Sequence, residues 1–181
     1  LSDWGAHAIR VGVGGGSICS TRIKTGHGVP TLQSILDCAK SDRDAVLIAD
    51  GGIKTSGDVT KAIAAGADFV MLGSLLAGTE ETPVEKVWSP EKGTWVYPYR
   101  GMASVEAQID WRGHTASVEG VASAVPAKGK VSDVVQDLVR GLRSGMSYSG
   151  SSTIVEFQSK SSFIKQSGSS QIESSTHVNR L

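Results

Sequence analysis

Val11-Gly12-Val13-Gly14-Gly15-Gly16-Ser17-Ile18-Cys19-Ser20-Thr21-Arg22 sets a glycine-rich turn directly against a cysteine and a threonine. Upstream, Ala8-Ile9-Arg10-Val11 reads as a short strand. Glycines that follow a strand let backbone N–H groups approach phosphate oxygens without a Cβ in the way. A turn of this kind can hold a phosphate while a neighbouring thiol attacks what the phosphate carries. The pattern recurs. Ala45-Val46-Leu47-Ile48-Ala49 runs into Asp50-Gly51-Gly52-Ile53, and Phe69-Val70-Met71-Leu72 runs into Gly73-Ser74. Between these runs lie helical spacings. Over 31–40, Leu32, Ile35, Leu36 and Ala39 share one face, with Pro30 at the start; a second helix is expected from a cap at Ser56, through Val59, Ala62 and Ile63, to Gly66. Repeated strand, turn and helix units predict an α/β fold whose parallel strands gather the glycine turns at one end of the sheet. In a (β/α)8 barrel that end holds the active site and often a phosphate.

Composition narrows the function. Lys plus Arg and Asp plus Glu both number 18, so the chain lacks the basic field that nucleic-acid binders use. The two cysteines, Cys19 and Cys38, do not form a zinc framework, and Cys38 sits in a helical pattern as a small apolar residue. No apolar run is long enough for a bilayer span and no signal-peptide pattern is present, which makes the cytoplasm the expected location. Further along, 82–99 carries three prolines, Gly93 and, between them, Trp88, Trp95 and Tyr97, and suggests a hairpin-like arm. The stretch 106–121 has no clean period and reads as a mobile loop. A helix returns over 131–143, with Val134, Leu138 and Leu142 on one face. Beyond Arg143 the chain is rich in Ser and Gly, and its end at 167–181 is expected to be ordered by contacts.

Four strings together carry a family resemblance: the one at 11–22, Ala49-Asp50-Gly51-Gly52-Ile53, Val70-Met71-Leu72-Gly73-Ser74-Leu75-Leu76-Ala77-Gly78, and Tyr99-Arg100-Gly101-Met102-Ala103-Ser104. In order and spacing the chain resembles the IMP dehydrogenase and GMP reductase family over nearly its whole length. The resemblance implies a (β/α)8 TIM barrel and redox exchange between a purine nucleotide and a nicotinamide cofactor. It maps residues 1–181 onto the C-terminal part of one catalytic domain, about the last three strands and the tail, with an inserted arm and flap at about 82–125. Three strands alone cannot close a barrel, so the N-terminal half of the barrel is an expected partner. A homotetramer is implied as well.

The resemblance also implies roles. Cys19 would attack C2 of the purine to give a covalent adduct, and Thr21 would take part in proton transfer beside it. Ser17, Gly51, Gly52, Gly73, Ser74 and Tyr99 would make the phosphate site from amides and hydroxyls. Asp50 would accept from both ribose hydroxyls. Gly101, Met102 and Ala103 would lie along the base, with Glu119 and Gly120 at its edge. Ser167-Gly168-Ser169-Ser170-Gln171-Ile172-Glu173-Ser174-Ser175-Thr176-His177 resembles the tail with which the family's dehydrogenases complete a potassium site on an adjacent subunit. Carbonyls of Gly14, Gly16 and Cys19 would form one half of that site, and Glu173, Ser174 and Ser175 the other. No cofactor-binding residue is recognisable.

Two features pull towards different members of the family. Dehydrogenases activate water with an Arg-Tyr pair in a long flap, and 102–119 is short and lacks that dipeptide. A reductase needs no hydrolytic water; its Thr would pair with a Glu soon after the Gly-Met step, a place close to Glu106. The tail, by contrast, is dehydrogenase-like. The expectation is therefore GMP reductase, converting GMP and NADPH to IMP, ammonia and NADP. IMP dehydrogenase, with NAD, is the alternative. A non-catalytic nucleotide-binding or assembly role is a third.

Overall fold

The computed structural model describes residues 1–176. Its first half is the expected α/β repeat. Strands β1 (Ala8–Val11), β2 (Val46–Asp50) and β3 (Phe69–Met71) form a parallel sheet in that order. Ile9 lies opposite Leu47 and Val11 opposite Ala49, and Ala49 in turn lies opposite Val70. Strand side chains alternate between faces, so these five residues share one face. Helices α2 (Thr31–Cys38) and α3 (Ser56–Ala64) cover that face, burying Ile35, Leu47, Ala49 and Ala62 in one cluster. Truncating Leu47 there would cost about 2–5 kcal/mol. The other face carries Arg10, Ile48, Asp50, Phe69 and Met71, with Phe69 59% exposed.

Local chemistry sets the helix ends. α3 is capped by Thr55, one residue before the expected Ser56: its hydroxyl accepts from Asp58 N–H while the Asp58 carboxylate accepts from Thr55 N–H. Burial works against ionised Asp58, but hydrogen bonds from Lys54 and Thr55 and the charge of Lys61 outweigh it, so its pKa is lowered. A short helix absent from the sequence reading, α1 (Thr21–Thr25), starts directly after the cysteine. Arg22 from this helix donates to the Val13 and Val29 carbonyls and staples the glycine turn to the segment ahead of α2.

The hairpin expected at 82–99 is present as β4 (Val87–Ser89) and β5 (Thr94–Arg100), where Trp88 and Trp95 meet edge to face at 5.8 Å. A third antiparallel strand, β6 (Ala122–Pro126), pairs with β5 and was not legible in the sequence. The mobile loop expected over 106–121 is instead half helix: α4 (Val105–Arg112) is capped by the buried Ser104 and closed by Gly113 in the left-handed region. Its apolar residues fall at 105, 107, 109 and 111, an alternation that hides a helix from periodicity.

The expected helix at 131–143 runs further, as α5 (Val131–Tyr148), and the Ser/Gly-rich stretch after it holds α6 (Ile154–Lys160) and α7 (Gly168–Glu173). α5 packs on α3 at small residues. A Cβ on Gly141 would lie 2.2 Å from Ser56, and one on Gly145 would lie 2.4 Å from Thr60. Leu138 and the α6 residue Phe157 fill the space beside Val59 and Ile63. Glu81 accepts from Val131 N–H at the start of α5, and this bond is the leading cause of its lowered pKa. No helix among the described residues is long and apolar enough to cross a membrane.

Candidate functional site

The three glycine turns meet at the C-terminal ends of β1, β2 and β3, and the main chains themselves touch. A Cβ on Gly12 would fall 2.0 Å from the Asp50 carbonyl oxygen, and one on Gly51 would fall 2.6 Å from the Gly15 carbonyl carbon. Gly51 and Gly52 have φ of +92° and +80°, a region that L side chains rarely enter. Only glycine permits both the approach and the conformation.

These turns enclose a pocket of about 120 Å³ lined by Ser17, Asp50, Gly51, Gly52, Gly73, Ser74 and Tyr99 among others. The residues expected to bind phosphate and ribose are thus brought together. Tyr99 arrives from β5 of the second sheet, close enough that a Cβ on Gly73 would sit 2.9 Å from its hydroxyl. Lys128, just past β6, supports the same turn by donating to the Ser74 and Leu75 carbonyls at 3.2 and 3.5 Å. Asp50 has a partner that sequence reasoning missed. Arg10, on the same sheet face, directs Nε (3.1 Å) and Nη2 to its Oδ2 and not to its Oδ1.

The cysteine lies beside this pocket in a chain of hydrogen bonds. Cys19 Sγ donates to Thr21 Oγ1 at 3.2 Å, and Thr21 Oγ1 donates to Glu119 Oε2 at 2.7 Å. Ser117 Oγ donates to the other carboxylate oxygen at 2.9 Å. The Thr21 bond, then the Ser117 bond, hold the Glu119 pKa below the ordinary glutamate value against a smaller opposing effect of burial. The carboxylate is therefore ionised at neutral pH and is the terminal acceptor of the chain. Glu106 lies elsewhere, exposed in the first turn of α4.

Backbone pairing explains why Glu119 reaches Thr21. Ser20 N–H donates to the Glu119 carbonyl at 2.8 Å and Val121 N–H donates to the Ile18 carbonyl at 3.0 Å, a two-bond bridge that sets Cys19 against Gly120. The segment before Glu119 is fixed by Gln108, a buried polar residue the sequence reading passed over. Its Nε2 donates to the Ala103 and Ser117 carbonyls at 3.1 and 2.9 Å, and its Oε1 accepts from Ala116 N–H at 2.7 Å. Gly101 and Ala103 join the same network: Gly101 N–H donates to the Val121 carbonyl and the Ala103 carbonyl accepts from Glu119 N–H. A Cβ on Gly120 would press on Ala103 at 3.1 Å. Met102 is 73% exposed. Arg112 stacks on Trp111 at 4.5 Å, while Asp110 pairs with Arg100 at 2.6 Å.

The residues expected to share a cation between subunits lie in two segments, the turn at 14–19 and the tail at 173–175. Arg22 takes the Val13 carbonyl and leaves those of Gly14 and Cys19, while that of Gly16 accepts from Cys19 N–H at 3.1 Å. Neutral carbonyl oxygens suit potassium. α7 ends at Glu173, and Ser174 and Ser175 fold back on the Ser170 and Ile172 carbonyls. His177 of the quoted tail lies outside the described residues.

The sequence model of the IMP dehydrogenase / GMP reductase domain matches residues 1–177. The chain is 46% identical to inosine-5'-monophosphate dehydrogenase of Nitrosopumilus maritimus, over 96% of this chain and 39% of that protein. It is 45% identical to GMP reductase of Leishmania major, over 98% of this chain and 38% of that protein. Its structure superposes with a TM-score of 0.92 on a cysteine-to-alanine variant of GMP reductase from Trypanosoma brucei in complex with guanosine 5'-monophosphate, at 45% identity, covering 98% of this chain and 38% of that one. The chain thus spans less than two fifths of the length of these relatives.

Proposed function

The chain belongs to the IMP dehydrogenase / GMP reductase family, and from that premise we propose that it contributes the nucleotide-reacting part of a GMP reductase. The observation that carries this reading is the hydrogen-bonded sequence Cys19, Thr21, Glu119. In the reaction GMP and NADPH, with two protons, give IMP, ammonium and NADP. Phosphate settles among Ser17, Gly52, Gly73, Ser74 and Tyr99, and Asp50 Oδ1 accepts from the ribose. Met102, Ala103 and Gly120 lie along the purine. Cys19 Sγ attacks C2 while its proton passes through Thr21 to Glu119, which an ionised carboxylate can accept. Glu119 then returns the proton through Thr21 to the departing amine, so the same group serves as base and then as acid. A nicotinamide cofactor, when bound, would supply the hydride that C2 takes up, and Cys19 Sγ would then leave as thiolate.

A reductase fits this arrangement because the relay ends at a leaving amine and needs no water-activating base. In the segment 102–119, Arg112 stacks on Trp111, an indole has no basic site, and a guanidinium stays protonated at ordinary pH, so neither replaces the Arg-Tyr pair. NADPH is the cofactor of this reading, and NAD that of the dehydrogenase reading. Potassium would be held by the Gly14, Gly16 and Cys19 carbonyls of one copy and by Glu173, Ser174 and Ser175 of another, and would fix the loop that carries the cysteine. This implies a homo-oligomer, a tetramer in our reading. The three parallel strands are taken as arcs of a (β/α)8 barrel completed by an N-terminal half.

IMP dehydrogenase is the second reading, favoured by relatives of that name at 46 and 47% identity against 45% for the reductase. Incubating the complete protein with GMP plus NADPH, and separately with IMP plus NAD, decides between them. Ammonia release with loss of the reduced-nicotinamide absorbance is expected in the first mixture. XMP accumulation in the second would overturn the reductase assignment.

A further inference from the structure

Resting on the nucleotide reading above, we propose that Lys54 supplies the positive charge against which the glycine turns hold a phosphate monoester dianion. The pocket's other donors are neutral, being the Ser17, Ser74 and Tyr99 hydroxyls and the glycine amides. Its one carboxylate, Asp50, is matched by Arg10, whose guanidinium is directed onto Oδ2. That pair sums to zero, and Lys128, the other cation at the Ser74 turn, is held on the Ser74 and Leu75 carbonyls outside the pocket lining, so Lys54 is the lining cation left to face a dianion. Lys54 lines the same pocket, is exposed, and forms no ion pair among the described residues.

Its backbone is fixed while its side chain is free. Lys54 N–H donates to Asp58 Oδ2 at 3.1 Å as part of the capping arrangement of α3, so the residue leaves the turn at a set place whatever its side chain. The Asp58 charge faces Lys61, at 3.4 Å, rather than Lys54. A flexible ammonium at the pocket rim adds attraction for a dianion and none for a neutral nucleoside. It thereby discriminates nucleotide from nucleoside through charge, where the hydroxyls and amides discriminate through shape.

The test is calorimetric titration of the complete protein and its Lys54→Gln and Lys54→Arg variants with GMP, ribose 5-phosphate and guanosine, at low and high salt. For Lys54→Gln the dissociation constants of both phosphate esters should rise about three- to tenfold at low salt, with a flatter salt dependence and unchanged guanosine binding. Lys54→Arg should restore phosphate-ester affinity. Unchanged GMP affinity in Lys54→Gln, or an equal loss for GMP and guanosine, overturns the role of Lys54 and leaves the nucleotide reading standing. A parent protein that binds neither phosphate ester removes that reading and this inference with it.

Discussion

The Glu119 carboxylate accepts a 2.7 Å hydrogen bond from Thr21, a residue 98 positions earlier in the chain. The bond joins the end of the 101–120 segment to the turn that carries the cysteine, and it adds a side-chain link to the backbone bridge that sets Cys19 against Gly120. The position of Cys19 and that of the segment are therefore fixed together.

Glu119→Gln tests that link. The amide keeps the shape and can still accept from Thr21, but it cannot take the thiol proton. Turnover should fall about 10²- to 10⁴-fold with little change in nucleotide affinity. The parallel variant Glu106→Gln should stay within about twofold, since exposed substitutions away from such networks are nearly neutral. Loss of turnover in the Glu106 variant with retention in the Glu119 variant would move the relay to α4.

The pH dependence follows from the depressed Glu119 pKa. Hydrogen bonds from Thr21 and Ser117 favour its ionised form in the folded protein. Their contribution to stability is therefore present above the unfolded-state pKa and is lost as pH falls through the lower folded value. The acid limb of turnover assigned to Glu119 should lie below the ordinary glutamate range and disappear in Glu119→Gln. An acid limb unchanged in that variant assigns it to another group.

Cys19→Ser should keep nucleotide binding close to parental, because the turns and Asp50 hold the ligand without the thiol, and should abolish turnover. Calorimetry and a nicotinamide assay on the same preparation separate the two effects. Retained turnover rules out the covalent step.

Asp50→Ala should weaken nucleotide binding by roughly 2–4 kcal/mol, as two charge-assisted bonds to the ribose are lost. Arg10→Ala should cost less, since Arg10 orients Asp50 from a side chain that is 64% exposed. Equal losses in both variants would mean that the pair acts through its own ion pair and not through the ribose.

Gln108→Ala leaves the Ala116 N–H and the Ala103 and Ser117 carbonyls without their shared partner. It should lower stability by about 1–3 kcal/mol and reduce turnover through misplacement of Glu119. A chemical-denaturation midpoint and kcat on the same variant check both, and an unchanged kcat would show that Glu119 is held by the Ser20 and Val121 bridge alone.

The parallel half of the fold was legible because its signals are local: apolar runs of strand length, glycine turns, and helix faces at 31–40 and 56–66. The residues expected at the phosphate lie in the same strings and line one pocket. What the sequence hid is non-local. Arg10 meets Asp50 only through strand pairing, and Glu119 meets Thr21 only through the bridge at Cys19 and Gly120. α4 was hidden by the alternation of Val105, Ala107, Ile109 and Trp111, although Ser104 three residues before Ala107 is a readable cap signal. Gln108 carried no signal at all, since a glutamine on a polar stretch betrays neither its burial nor its three partners.

The close approach of Gly12 to Asp50 and of Gly15 to Gly51 means that this wall of the pocket is moulded from main chain. A point mutation there can only thicken the wall, because there is no side chain to exchange for another. Change must therefore enter through side chains that no main-chain approach confines, such as Met102, which is 73% exposed, whereas Gln108 and Glu119 are tied into hydrogen bonds. The molecule separates an anchor that cannot drift from exposed side chains that can.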